Sequence, residues 1–225
     1  MTVAEDPAIR LQVPLRSFRS PRVSEWVAAV IRDESEQAFE IATVLGESPI
    51  LLTRSLESAR AWLCSKVRGL RRYGFVASSG AQRLRAEGLG VSLNATDSIK
   101  IAQWYLNDPG DVYSFALEVT ANEYTSQGLE LDFVGLCWGG DLLRSENHWV
   151  HRRFRGNRWD LVTNHKGRRF IENSYRVLMT RAREGLVIWA PKGSCDDPTR
   201  DHEAFDITAR FLARSGAHEL RSEDA

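Results

Sequence analysis

The chain of 225 residues has only three cysteines and four lysines, and no stretch of it approaches the roughly 18 apolar residues that a membrane span needs. Cys64, Cys137 and Cys195 lie far apart and form no C-x-x-C pair, which excludes a disulfide framework and a cysteine zinc site and points to a reducing cytosol. Thirty basic residues cancel thirty acidic ones, so any contact with a polyanion must come from local clustering. Met1 to Arg10 contain Glu5 and Asp6 and no apolar run, so the sequence predicts neither a secretory leader nor a membrane anchor. None of Lys66, Lys100, Lys166 and Lys192 follows a glycine, which rules out the phosphate-cradling Walker A loop within these residues. Asp33-Glu34 superficially resembles a magnesium-binding acid pair, but Arg32 breaks the apolar lead-in that a buried strand would supply.

What is present is ordinary for a folded domain: 43% hydrophobic and 27% charged residues. Leu11–Leu15 reads as a short strand, and Ser20-Pro21 opens a helix that runs to about Val30. Pro49–Thr53 is a compact apolar run, and from Ser55 apolar residues recur at helical spacing. Tyr73–Ala77 reads as strand, Gly80–Glu87 as helix, and Asp97 as the cap of a helix ending near Leu106. Leu131–Trp138 is the most strand-like run; Glu172–Arg183 is helical, Leu186–Ala190 a buried strand and Asp201–Ala213 a last helix. Strands alternating with helices predict an α/β fold, a parallel sheet flanked by helices. A single domain is expected over 11–215, between tails at 1–10 and 216–225, with a basic and aromatic loop at 139–169.

Two segments carry chemistry. Tyr124 to Leu136 places Gly128 and Glu130 just before a buried strand, where glycine allows close backbone approach and the acid can accept a hydrogen bond from a sugar hydroxyl. The same pattern also suits a plain loop-to-strand turn. Ser174 to Trp189 is a helix ending in Arg181 and Arg183, then a strand. Arginine's planar fork suits phosphate oxygens, although arginines there also simply complement a helix C-terminus. In the 139–169 loop, Arg152, Arg153 and Arg155 interleave with Trp149, Phe154 and Trp159. Cations there can hold a phosphate backbone while rings stack on bases. Trp149 and Trp159 serve equally well as packing anchors. His148 and His151 lack further metal ligands at a sensible spacing, and Glu130 with Asp132 makes a poor nuclease pair because no lysine lies near them in the sequence.

Taken in order, the two segments resemble motifs V and VI of superfamily 1 helicases: Gln127-Gly128-Leu129-Glu130 for K/Q-G-L-E, and Val177 to Ala182 for V-A-L-T-R-A. Leu11 to Ser17 resembles motif IV, with Arg16 as the formal match or, by a shift of register, Arg19 as its arginine and Pro14 in place of the usual asparagine. The wording Arg16–Arg19, Tyr73–Ala81, Gln127–Asp132 and Tyr175–Arg181 is similar to that of the Schlafen group 3-like DNA/RNA helicase domain family, a bacterial set.

The resemblance implies a cytoplasmic, RecA-like C-terminal motor half without its own P-loop. Arg181 would be its arginine finger, and Arg16, Arg19, Gln127, Gly128 and Glu130 would be nucleotide contacts. Asn122 and Tyr124 stand where general helicases place a threonine and a histidine on the nucleic-acid phosphate. They join Arg152, Arg153, Arg155 and Trp159 as expected contacts to single-stranded DNA or RNA. ATP and magnesium are implied only together with a P-loop half supplied in cis or in trans, and the isolated chain is expected to bind no metal and hydrolyse no ATP. The competing expectation is a non-catalytic nucleic-acid-binding or regulatory module.

Overall fold

The computed structural model describes residues 20–45, 50–66, 71–89, 98–106 and 117–221. The strand expected at Leu11–Leu15, both candidate arginines Arg16 and Arg19, and the Asp97 cap lie outside the described residues.

Five strands form a parallel sheet: β1 (Ile50–Thr53), β2 (Tyr73–Ala77), β3 (Leu131–Cys137), β7 (Ala182–Trp189) and the short β8 (His218–Glu219), in the order β2-β3-β7-β1-β8. β1 and β2 are buried along their whole length and so read as continuous apolar runs, as expected where both faces of a parallel sheet are covered. α3 (Leu56–Ser65) covers one face, packing Trp62 and Leu63 against Phe75 and Phe133. The other face carries α1 (Ser20–Ile31), α2 (Ser35–Val44), α5 (His165–Met179) and α6 (His202–Arg214), around Trp26, Trp138, Tyr175 and Phe211. The caps follow from side chains that can accept a backbone N–H: Ser55 from Ser58, Asn164 from Gly167 and Asp201 from Ala204. α4 (Ser98–Leu106) lies between β2 and β3 in the chain. Among the described residues no helix is long and apolar enough to cross a membrane.

The structure corrects the sequence reading in four places. The supposed loop at 139–169 is an antiparallel meander of β4 (Leu142–Ser145), β5 (His148–Arg155) and β6 (Arg158–Leu161), followed directly by α5. Its alternation was hidden because polar side chains occupy buried positions. Arg144 lies over the Phe211 ring and pairs with Asp33, and His151 meets Glu172 at 2.8 Å. Gly80–Glu87 is a helix only as a single 3-10 turn at Leu84–Glu87, ended by Gly88 in the left-handed region. α5 begins at His165 and ends at Met179, so Arg183 sits on β7. There the Thr180 hydroxyl donates back to the carbonyls of Arg176 and Val177, in competition with continued helix. Finally, β8 pairs with β1 inside the segment read as a C-terminal tail.

Gly135, in the middle of β3, is required by close approach: a Cβ there would enter the Phe75 ring and come within 2.9 Å of Leu63 Cδ1. Gly135→Ala therefore overpacks the α3 face, at a cost of about 1–3 kcal/mol. At roughly 2–4 °C per kcal/mol for a chain of this size, the thermal midpoint should fall by several degrees. An unchanged midpoint would show that α3 is packed less tightly than described.

Candidate functional sites at the two ends of the sheet

The register of β3 on β7 pairs Leu131 with Ala182, so the residues just before those strands, Glu130 and Arg181, are brought side by side. Arg181 is 9% exposed; its Nε donates to the Val177 carbonyl and its Nη1 to the Leu129 carbonyl, both at 3.3 Å. The Glu130 carboxylate lies 3.6 Å from Arg183, and its carbonyl accepts from Tyr105 Oη at 3.1 Å. Gly128 has φ of +80°, a conformation that favours glycine, and no heavy atom would lie within 4 Å of an added Cβ. Gln127 beside it is exposed. These residues stand at the amino ends of the strands, as their place just before each strand requires. The reason is local, since both acid and arginine precede their strands and all strands run the same way.

The carboxyl ends hold a different constellation. Ser78-Ser79-Gly80 follows β2 and Gly139-Gly140-Asp141 follows β3. Asp141 is buried and accepts from Ser78 Oγ at 2.6 Å and Tyr175 Oη at 2.7 Å, while Tyr175 Oη accepts from the Gly139 N–H. Burial raises the Asp141 carboxyl above the usual carboxylate range, against the pull of its hydroxyl donors, and burial together with Asp141 raises the Tyr175 phenol well above its own. A second carboxylate, Glu123, accepts from the N–H and Oγ of Ser79 and from Ser174 Oγ. Above this floor opens a cleft of about 570 Å³ between the tip of β5 and the start of α5, with Arg153 and Phe154 on one wall and Phe170 on the other.

The six expected nucleic-acid contacts divide between structural and exposed roles. Asn122 is buried and its Oδ1 accepts from the N–H groups of Tyr124 and Thr125, forming a turn. Arg152 donates from Nε to the Gly140 carbonyl and from Nη1 to Asp201, and its Nη2 is buried without a partner. Trp159 donates to the Thr199 carbonyl and lies edge-on to Phe154. Tyr124, Arg153 and Arg155 are exposed at the surface. His151 is buried against Glu172 while His148 is exposed, and among the described residues no three potential metal ligands converge.

Residue-level reading missed Ser78, Ser79, Glu123, Asp141 and Phe170. The serines lie in a string noted only for its wording. Asp141 sits where open α/β sheets gather ligands, just past a strand's carboxyl end, and that rule was the available signal.

The parallel sheet with helices on both faces defines an α/β domain of the RecA-like class. The chain belongs to the Schlafen group 3, DNA/RNA helicase domain family, whose model matches residues 2–192. No curated protein and no solved structure matches it.

Beyond residue 192, the segment that leads into α6 braces the 3-10 turn at Leu84–Glu87. Asp197 binds Arg83 at 2.9 Å and Arg200 at 3.1 Å, and Arg200 in turn reaches Glu87. Hydrogen bonds from Thr199, then from the two arginines, hold the Asp197 carboxyl far below the ordinary value of 3.8. A depressed pKa contributes stability that is present above the ordinary value and is lost as pH falls through the folded one. Asp197→Asn should therefore lower the thermal midpoint at neutral pH, and the gap to the parent should narrow as the pH is taken down through the carboxylate range. A gap that is constant across that titration would show that the brace does not depend on charge.

Proposed function

We propose that the chain is the C-terminal motor half of a superfamily 1 helicase-like protein, closing over ATP held by a P-loop half supplied in cis or in trans. The observation that carries this reading is the junction of Glu130 and Arg181 at the amino ends of adjacent strands, with Gly128 open beside them. Glu130 has a carboxylate to accept from a ribose hydroxyl, and Arg181 and Arg183 supply forked cations for phosphate oxygens. That donor set fits part of a nucleotide. No lysine of the chain follows a glycine, so magnesium and the β- and γ-phosphate cradle would belong to the other half. Arg181 would leave the Leu129 carbonyl and turn to the charge that develops on the transferred phosphoryl group. Single-stranded DNA or RNA is the proposed track.

A second reading, a nucleic-acid-binding or regulatory module without nucleotide chemistry, draws support from the two carbonyls that already occupy Arg181.

The readings separate in one assay. The chain alone should hydrolyse no ATP above background. Combined with a P-loop half of the same family and single-stranded nucleic acid, it should raise turnover, and a folded Arg181→Ala variant should lose about 10³- to 10⁵-fold of that gain. Stimulation that survives in Arg181→Ala, or no stimulation by any P-loop half that binds the chain, would favour the second reading.

A further inference from the structure

The cleft at the carboxyl ends has a charge order that restricts how a ligand can enter. Its floor carries the carboxyl of Asp141, buried beneath Ser78, with Arg152 tied to the Gly140 carbonyl and Asp201 beside it. Its rim is basic and aromatic. Arg153 lies on the rim exposed, and Phe170 is 44% exposed, paired with the 50% exposed Tyr124 at a ring separation of 6.3 Å. Solvent-facing aromatic pairs are unusual, and here the pair adjoins a cavity with volume to spare for one nucleotide. An anion entering phosphate-first would meet the Asp141 carboxyl. A flat ring entering first can lie against Phe170 with its polar edge toward Ser78 and Asp141, leaving its phosphate at Arg153.

Resting on the nucleic-acid reading above, we infer that this cleft takes one unpaired nucleotide of a single strand, base inward, stacked on Phe170 with its phosphate held at the rim by Arg153. The ring pair Tyr124–Phe170 continues the stack for the neighbouring base. Two of the contacts expected from the sequence are instead structural: Arg152 lines the cleft tied to Gly140 and Asp201, and Trp159 is held by the Thr199 carbonyl. A paired base cannot enter, because its ring is stacked within the duplex.

The test uses the full chain with a short mixed-sequence single strand that carries 2-aminopurine, whose fluorescence is quenched on stacking. The same strand with abasic sites, and a free nucleoside monophosphate as competitor, complete the set. The parent should bind and quench. Phe170→Ala should weaken binding by roughly 5- to 150-fold, the range of one stacked base, with the salt slope unchanged. Phe170→Trp should restore binding, and Arg153→Gln should flatten the log–log salt slope by about 0.7 with quenching retained. The abasic strand should bind parent and Phe170→Ala alike. Phe170 is exposed, so its loss leaves the core intact. Equal affinity of parent and Phe170→Ala for the base-bearing strand would overturn the cleft while leaving the nucleic-acid reading standing. Displacement of the strand by free nucleoside monophosphate at matched concentration would reassign the cleft to a free nucleotide. A parent that binds no strand would end both the inference and the nucleic-acid part of the reading.

Discussion

The parallel register of β3 on β7 is the constraint from which the functional geometry follows. Pairing Leu131 with Ala182 sets the chain before one strand against the chain before the other, so Glu130 and Arg181 become neighbours although a long stretch of sequence separates them. A slip of one residue would turn every side chain of β3 to the opposite face. It would drive Phe133, which packs edge-on to Trp62, out of the α3 face and displace the glycine that lets Phe75 and Leu63 close over the sheet. Packing on both faces thus fixes the register from Phe133 onward, and the irregularity between Leu131 and Phe133 sets Leu131 opposite Ala182, which brings the acid beside the arginine.

At the other end of the same strands, buried polar interactions take over from apolar packing. Asp141, Tyr175, Ser78 and Gly139 form a closed hydrogen-bond set that ties the ends of β2 and β3 to α5. Such a set is costly when half satisfied and rigid when complete. α5 passes Phe170 and Ser174 to reach this hub at Tyr175 and goes on to Arg181, and the segment from Ala121 to Glu130 makes the same journey from β2 to the start of β3. Each end of the sheet is therefore joined to the other by two continuous elements.

The sequence showed the alternation of strands and helices, and with it the α/β class, because β1, β2 and β3 are nearly continuous apolar runs. It also identified Gly128, Glu130 and Arg181 as a group. They stand at the amino ends because each precedes its strand, whereas the general rule for ligands at carboxyl ends applies to the other end of the sheet. The meander was illegible for a physical reason. Arg144 and His151 fill buried positions that alternation assigns to apolar residues, and each is tolerated there through a partner, Asp33 or Glu172, supplied by a distant part of the chain. Asn122 and Trp159 were legible as polar and aromatic residues in a functional segment, but whether such a side chain faces outward or closes a turn depends on neighbours that only the folded chain provides. Phe170 gave no signal at all, since an exposed aromatic on an amphipathic helix looks like a core residue until its face is known.

The central claim is that one sheet presents two separate surfaces, a nucleotide-completing one at its amino ends and a strand-binding one at its carboxyl ends. Amide hydrogen exchange on the full chain tests this most directly. Adding single-stranded oligonucleotide should slow exchange around Ser79, Arg153 and Phe170, and adding a nucleotide-loaded P-loop half should slow it around Gly128 to Glu130 and Arg181. Protection of the same end by both additions would contradict the account.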